Sequence, residues 1–209
     1  MREPLLIPVD RLDESGTYKL LTGTVVPRPI AWVSTLDSWS RPNLAPYSFF
    51  TAASIVPPMV VIAVEPRGEE KKDTLRNIEE NGEFVVNVVI EGLTGPVVIS
   101  AMDLPAEESE FDRAGLTMVP SKLVRPPRVA ESPVGMECRL ERFVALGSGP
   151  HTLVVGEVLA WQVDPKVLDD RGRVDFSALR PVGRLAGNEY VRCTDLLAEA
   201  RRDKRGSSY

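Results

Sequence analysis

Eighteen prolines punctuate a chain of 209 residues, and sixteen of them fall between positions 27 and 181. Proline has no amide hydrogen to donate and its ring clashes with the carbonyl four residues back, so it ends a helix wherever it falls inside one. Prolines make up about 9% of the chain, against an average of about 5%. Long helices are therefore excluded, and short strands joined by turns are favoured.

The segments between prolines carry strand signatures. Strands are expected over residues 30–35, 43–53, 59–64, 83–89, 117–121, 134–146 and 153–163, and short helices over 17–23, 74–81, 94–101 and 108–114. In 134–141, Val134, Met136, Cys138 and Leu140 alternate with Gly135, Glu137, Arg139 and Glu141. That is the period of a half-buried strand, with Cys138 in the core and Glu137 outside. Residues 153–161 are apolar on both faces instead, which places that strand centrally in a barrel or beneath another element or a second subunit. Residues 28–35 and 41–50, joined by 36–40, read as a hairpin. About seven short strands at hairpin spacing point to a mainly β fold, an antiparallel closed or partly closed barrel with short helices. No repeat or linker divides the sequence, so one domain is expected over 1–209, with its core at about 16–195 and the polar, basic residues 200–209 as a loose end.

Composition narrows the function. With 43% hydrophobic and 26% charged residues the chain is globular. A net charge of -5 argues against nucleic acid as the main partner, because such surfaces need cations to displace phosphate counterions. The longest nearly unbroken apolar run, 56–64, contains Pro57 and Pro58 and falls far short of the roughly 20 residues of a membrane helix. Glu3, Pro4 and Pro8 spoil a secretory signal, so a cytoplasmic location is expected. Cys138 and Cys193 have no partners at metal-ligand spacing and His151 is the single histidine, so no metal site is expected. The sequence has no Gly-x-Ser-x-Gly elbow, P-loop or Gly-x-Gly-x-x-Gly turn. Any chemistry is expected to come from a cofactor.

Two segments are candidates for holding one. In Lys71-Lys72-Asp73-Thr74-Leu75-Arg76-Asn77-Ile78, Asp73 reads as an N-cap, Leu75 and Ile78 form an apolar face, and Gly82 ends the helix. The first-turn amides, the Thr74 hydroxyl and the Lys72 ammonium suit a phosphate, and equally the segment reads as a capped surface helix with solvated lysines. In the hairpin, Ser34, Thr35, Ala45 and Ser48 interrupt an aromatic neighbourhood and leave room for a flat ligand. Alternatively they are plain strand residues.

Three stretches of this sequence, 28–35 with 41–50, 72–78 with 83–89, and 150–158, closely resemble the flavin reductase-like, FMN-binding split-barrel family. Residues 114–117, 125–133 and 180–190 also look like this group. The resemblance implies a Greek-key split β-barrel of six strands, a homodimer with FMN near the subunit interface. It implies that Lys72 and Thr74 hold the phosphate and that Ser34, Thr35 and Ser48 contact the phosphate and ribityl chain. It further implies that Arg28 and Pro29 border the cofactor, while Asn43, Ala45, Tyr47 and Ser48 line its ring. In similar flavin reductases a histidine before the 153–163 strand lies near the flavin and the nicotinamide; His151 holds that place, or is structural. Segment 92–110 and Ala186 depart from the family wording. The expected activity is hydride transfer from NAD(P)H to FMN, with electrons passed to an unknown acceptor or a monooxygenase partner. The alternatives are an FMN-bound electron carrier resembling flavoredoxin and a non-catalytic flavin binder.

Overall fold

The computed structural model describes residues 3–66, 68, 70–104, 108–149 and 151–198; the expected loose end at 200–209 and Pro150 lie outside them. The chain opens with helix α1 (Glu14–Thr24), then strands β1 (Ala31–Leu36), β2 (Pro42–Tyr47), β3 (Phe50–Ile55) and β4 (Pro58–Val64), helix α2 (Asp73–Asn81) and strand β5 (Glu83–Val88). Short helices α3 (Thr94–Ile99) and α4 (Glu110–Arg113) precede the small strands β6 (Met118–Val119) and β7 (Arg128–Val129). Two long strands, β8 (Val134–Ala145) and β9 (Thr152–Val163), lead to α5 (Phe176–Leu179), β10 (Val182–Arg184) and β11 (Tyr190–Arg192). Among the described residues no helix is long and apolar enough to cross a membrane.

The main sheet runs β2-β1-β5-β8-β9-β4-β3. Its two edge strands, β2 and β3, are separated in sequence by Ser48 and Phe49 alone, and two residues reach only about 7 Å. The edges must therefore meet, which curls the sheet into a split barrel. Residues 43–53 thus form two strands where one was expected: the chain leaves β1 after Ala31↔Tyr47 and joins β4 at Phe50↔Ile62. The Ala63 amide donates to Phe49 O at 2.8 Å across the corner. The expected hairpin is present as β1 and β2, paired from Ala31↔Tyr47 to Leu36↔Pro42.

Residues 31–35 are all buried because both faces of β1 are covered. Ala31 and Val33 point into the barrel with Ile62, Phe84, Val86, Cys138 and Val154. Ile30 and Trp32 point the other way, against Leu44, Val89, Leu93, Val97 and Phe111. The barrel interior is tight: Gly156 on β9 faces the Phe84 ring so closely that a Cβ there would overlap it. Strand β9 sits between β8 and β4; Val154, Gly156 and Val158 are buried on its inner face, and the alternate residues 153, 155, 157 and 159 are half-buried on the other.

Cys138 is core filler as its alternation predicts, fully buried, and burial pushes its thiol pKa up, with the Glu137 charge adding to the effect. Glu137 is the exception, with 0% exposure where the pattern placed it outside. A register shift separates Glu137 and Cys138, and the 121–124 segment lies over the carboxylate. The Lys122 amide donates to it at 2.9 and 3.0 Å and the Leu123 amide at 2.5 Å, and the Gln162 amide donates as well. Burial works against the ionised form, yet these donors hold the carboxyl below its ordinary pKa.

Candidate functional site

Helix α2 begins one residue earlier than its sequence suggests. Lys72 occupies the N-cap with extended backbone (ψ 147°) and makes no side-chain cap. Asp73, expected as the cap, is the first helical residue and pairs with Arg76 one turn on. Gly82 ends the helix at φ 69°, a left-handed conformation that glycine adopts without Cβ strain. The apolar face is as expected, with Leu75 and Ile78 buried in the barrel cluster.

Thr74 is 2% exposed rather than solvated. Its Oγ1 accepts from Asn43 Nδ2 at 2.9 Å. Behind it, Thr35 Oγ1 accepts from Asn77 Nδ2 at 3.0 Å and, at 3.4 Å, from Asn43 Nδ2. Four side chains from β1, β2 and α2 thus form one polar cluster at the helix start. The Lys72 ammonium lies 5.5 Å from the centre of the Tyr47 ring. Asn43, Ala45, Tyr47, Lys72 and Thr74 line a recess of about 170 Å³, together with the acidic Asp73, Asp103 and Glu110. The Glu110 carboxylate accepts from the Leu44 amide at 3.2 Å.

Pro46 and Ala101 line both this recess and a larger cavity of about 610 Å³. The larger cavity is walled by Ile30, Val97 and Val98 and edged by Ser48, Arg184, Asn188 and Tyr190. The C-terminal hairpin reaches it because β10 is bonded to residue 28: the Arg28 amide donates to Arg184 O at 3.0 Å and the Arg184 amide to Arg28 O at 2.8 Å. Gly183 permits this close approach; a Cβ there would lie 2.8 Å from Pro27 Cβ. The Arg184 guanidinium stacks over Tyr190 at 4.7 Å.

The cleft therefore gathers Asn43, Ala45, Tyr47, Lys72 and Thr74 at one end and Ser48 at the other, with Thr35 directly behind. The remaining residues read from sequence lie elsewhere. Ser34 points to the opposite face of β1, donating to Pro127 O at 2.5 Å and accepting from Asn87 at 3.3 Å. The Arg28 guanidinium is turned inward, donating to Thr22 O at 2.7 Å, Val25 O at 2.8 Å and Leu185 O at 2.9 Å. It closes the end of α1, and desolvation holds its pKa below the ordinary arginine value. Its Nε donates to Ser48 Oγ at 3.3 Å, so Arg28 reaches the cleft only through that hydroxyl. Pro29 is exposed and lines neither cavity. His151 is also outside the cleft, 3.8 Å from the Glu65 carboxylate. Val97, Val98 and Ala101 on and after α3, and Arg184, Asn188 and Tyr190 in the C-terminal hairpin, were not read as site residues. Residues 180–190 did carry a family signal, but one without assigned roles.

Comparison with known proteins bears on this geometry. A family model described as a flavin reductase like domain matches residues 22–177. The structure is similar to nitrilotriacetate monooxygenase component B from Bacillus cereus, with TM-score 0.91, 34% identity, and 95% of this chain and 100% of that one covered. It is similar to the 2-nitrobenzoate 2-nitroreductase of Pseudomonas fluorescens, with TM-score 0.86, 35% identity, and coverage of 94% and 96%. Flavoredoxin of Desulfovibrio vulgaris (Miyazaki F) gives TM-score 0.76 at 26% identity, covering 84% of this chain and 92% of that one.

Proposed function

Because this chain belongs to the flavin reductase-like family, we propose that it is an FMN-dependent oxidoreductase, taking hydride from NAD(P)H and passing electrons to an acceptor outside the polypeptide. The observation that carries this reading is that an apolar cavity and a recess at a helix start lie side by side, with Pro46 and Ala101 lining both. A flat ring needs apolar walls, and Ile30, Val97 and Val98 supply them; a phosphate needs donors, and Lys72, Thr74 and the first-turn amides of α2 supply those. The chemistry of the residues present fits FMN. Asp73 pairs with Arg76 and Glu110 accepts from the Leu44 amide, so these acids lining the recess are engaged by neighbours of their own.

Bound FMN supplies reversible hydride acceptance, which no side chain in the cleft offers. The chain's own work is placement. Thr74 and Ser48 each accept a hydrogen bond from a fixed donor, Asn43 and Arg28 respectively. Each hydroxyl therefore keeps its own hydrogen to donate into the cleft. The nine-residue helix α2 directs its positive end at the same recess. Lys72 adds a charge-assisted donor, and its position over Tyr47 limits the rotamers it must give up on binding. The likeness to a monooxygenase component and to a nitroreductase supports an external acceptor.

The reading includes a homodimer. Ile55, Val56 and Trp161 are 88%, 89% and 52% exposed, a set of large apolar side chains that a second copy would cover. Light scattering at micromolar concentration is expected to give twice the chain mass, and a monomer mass removes this part of the reading. The activity is tested by an anaerobic absorbance scan of the FMN-loaded protein before and after NADH or NADPH. Bleaching of the flavin band supports the reductase. Reduction by dithionite alone points to an electron carrier, and a protein that ignores added FMN overturns both.

A further inference from the structure

A separate cavity of about 580 Å³ opens beside β7, β8 and the end of β9, and it shares no lining residue with the two cavities of the cleft. Arg128, on β7, projects across Gly135 of β8, where a Cβ would lie 3.5 Å from Arg128 Cδ. Gly135 pairs with Gln162 of β9, so the guanidinium and the Gln162 amide stand on one face, and both line this cavity. Arg128 Nε is buried and has no hydrogen-bond partner among the described residues. A buried donor left without an acceptor is costly, and more so when it carries charge.

Neighbouring carboxylates do not meet this need. Glu131 accepts from the Thr117 amide at 3.1 and 3.2 Å, and Asp164 Oδ1 accepts from the Lys166 amide at 3.0 Å. Glu137 is engaged beneath by the Lys122 and Leu123 amides and by Gln162. The remaining wall holds Ser132, whose hydroxyl donates to Val88 O at 2.8 Å, and the apolar Ile90, Pro133 and Val163.

We propose that this cavity binds a small monocarboxylate with an apolar body, its carboxylate received by the Arg128 guanidinium beside Gln162. The planar guanidinium fork matches two carboxylate oxygens, and the volume is that of a small-molecule site. The acidic rim of Glu131 and Asp164 disfavours a dianion, because each added negative charge meets both carboxylates.

Benzoate is the probe, titrated calorimetrically into the full chain. The expected result is one site per chain, with affinity at least ~10-fold weaker in Arg128→Met and unchanged in Arg184→Met, which removes the guanidinium of the other cavity. Inorganic phosphate at equal concentration should not displace benzoate. In the wild-type protein the Arg128 Nε–Hε resonance should shift with benzoate, which keeps the test decisive if Arg128→Met fails to fold. The proposal is overturned by wild-type protein that takes up no benzoate, by equal binding in Arg128→Met, or by loss in Arg184→Met alone.

Discussion

Two polar clusters lie against this sheet, and they dispose of their hydrogens differently. Around Ser34, Asn87 and Glu137 the bonds close within the protein and fasten the 121–129 segment to the sheet: Ser34 donates to Pro127 O, the Val129 amide donates to Asn87 Oδ1 at 2.9 Å, the Lys122 and Leu123 amides donate to Glu137, and Asn87 Nδ2 ties back to Trp32 O at 3.0 Å. Around Asn43, Thr74, Arg28 and Ser48 the fixed donors point into hydroxyls that border a cleft. Ser34 and Thr74 are equally buried small hydroxyl residues, yet one spends its hydrogen internally and the other keeps it. Burial alone does not separate a structural hydroxyl from a binding one; the direction of its own O–H does.

Breaking the first cluster should cost stability and leave flavin affinity alone. Glu137→Ala takes the acceptor from the Lys122 and Leu123 amides and from Gln162, and a loss of roughly 2–4 kcal/mol is expected, read as a lowered denaturation midpoint at normal FMN affinity. The pH dependence has a definite sign. Glu137 is held below its ordinary pKa in the folded protein, so its contribution is full above the unfolded value of about 4.3. That contribution is lost as pH falls through the lower folded value. Acid unfolding of the wild type should therefore be steeper than that of Glu137→Gln, and parallel curves would contradict the assignment.

The second cluster should answer in the opposite way. Lys72→Ala is expected to weaken FMN binding by about 1.5–3 kcal/mol with an unchanged melting curve; a normal titration removes Lys72 from the phosphate end. The smallest effects sharpen the contrast. Ser34→Ala should cost about 1 kcal/mol of stability and nothing in FMN affinity. Thr74→Val should lose a little of both, because it removes Asn43's acceptor together with the O–H, whereas Thr74→Ser should restore the affinity.

Much of this was legible in the sequence for physical reasons. Proline spacing and period-2 alternation located most strands of the sheet, because both act within a few residues. The corner at Ser48 and Phe49 escaped, since apolar residues run on through Tyr47, Phe49 and Phe50 with no glycine or proline to mark the turn. Glu137 read as exposed because its donors come from a loop more than ten residues away. The same distance effect hid the other end of the cleft: Arg184, Asn188 and Tyr190 reach it through the pairing of Arg28 with Arg184 and of Ile90 with Pro181. Lys72 and Thr74 read as candidates from their helix start, but the bond that Thr74 accepts from Asn43, 31 residues earlier, could not be read there.

The central claim is that the start of α2 is the phosphate end of a flavin site. The most direct test compares FMN with riboflavin, which lacks only the phosphate, by fluorescence quenching on the wild-type protein. FMN is expected to bind more tightly by at least ~10-fold, the worth of one or two charge-assisted hydrogen bonds, with the advantage shrinking as salt is raised. Equal affinity for the two flavins would contradict the account.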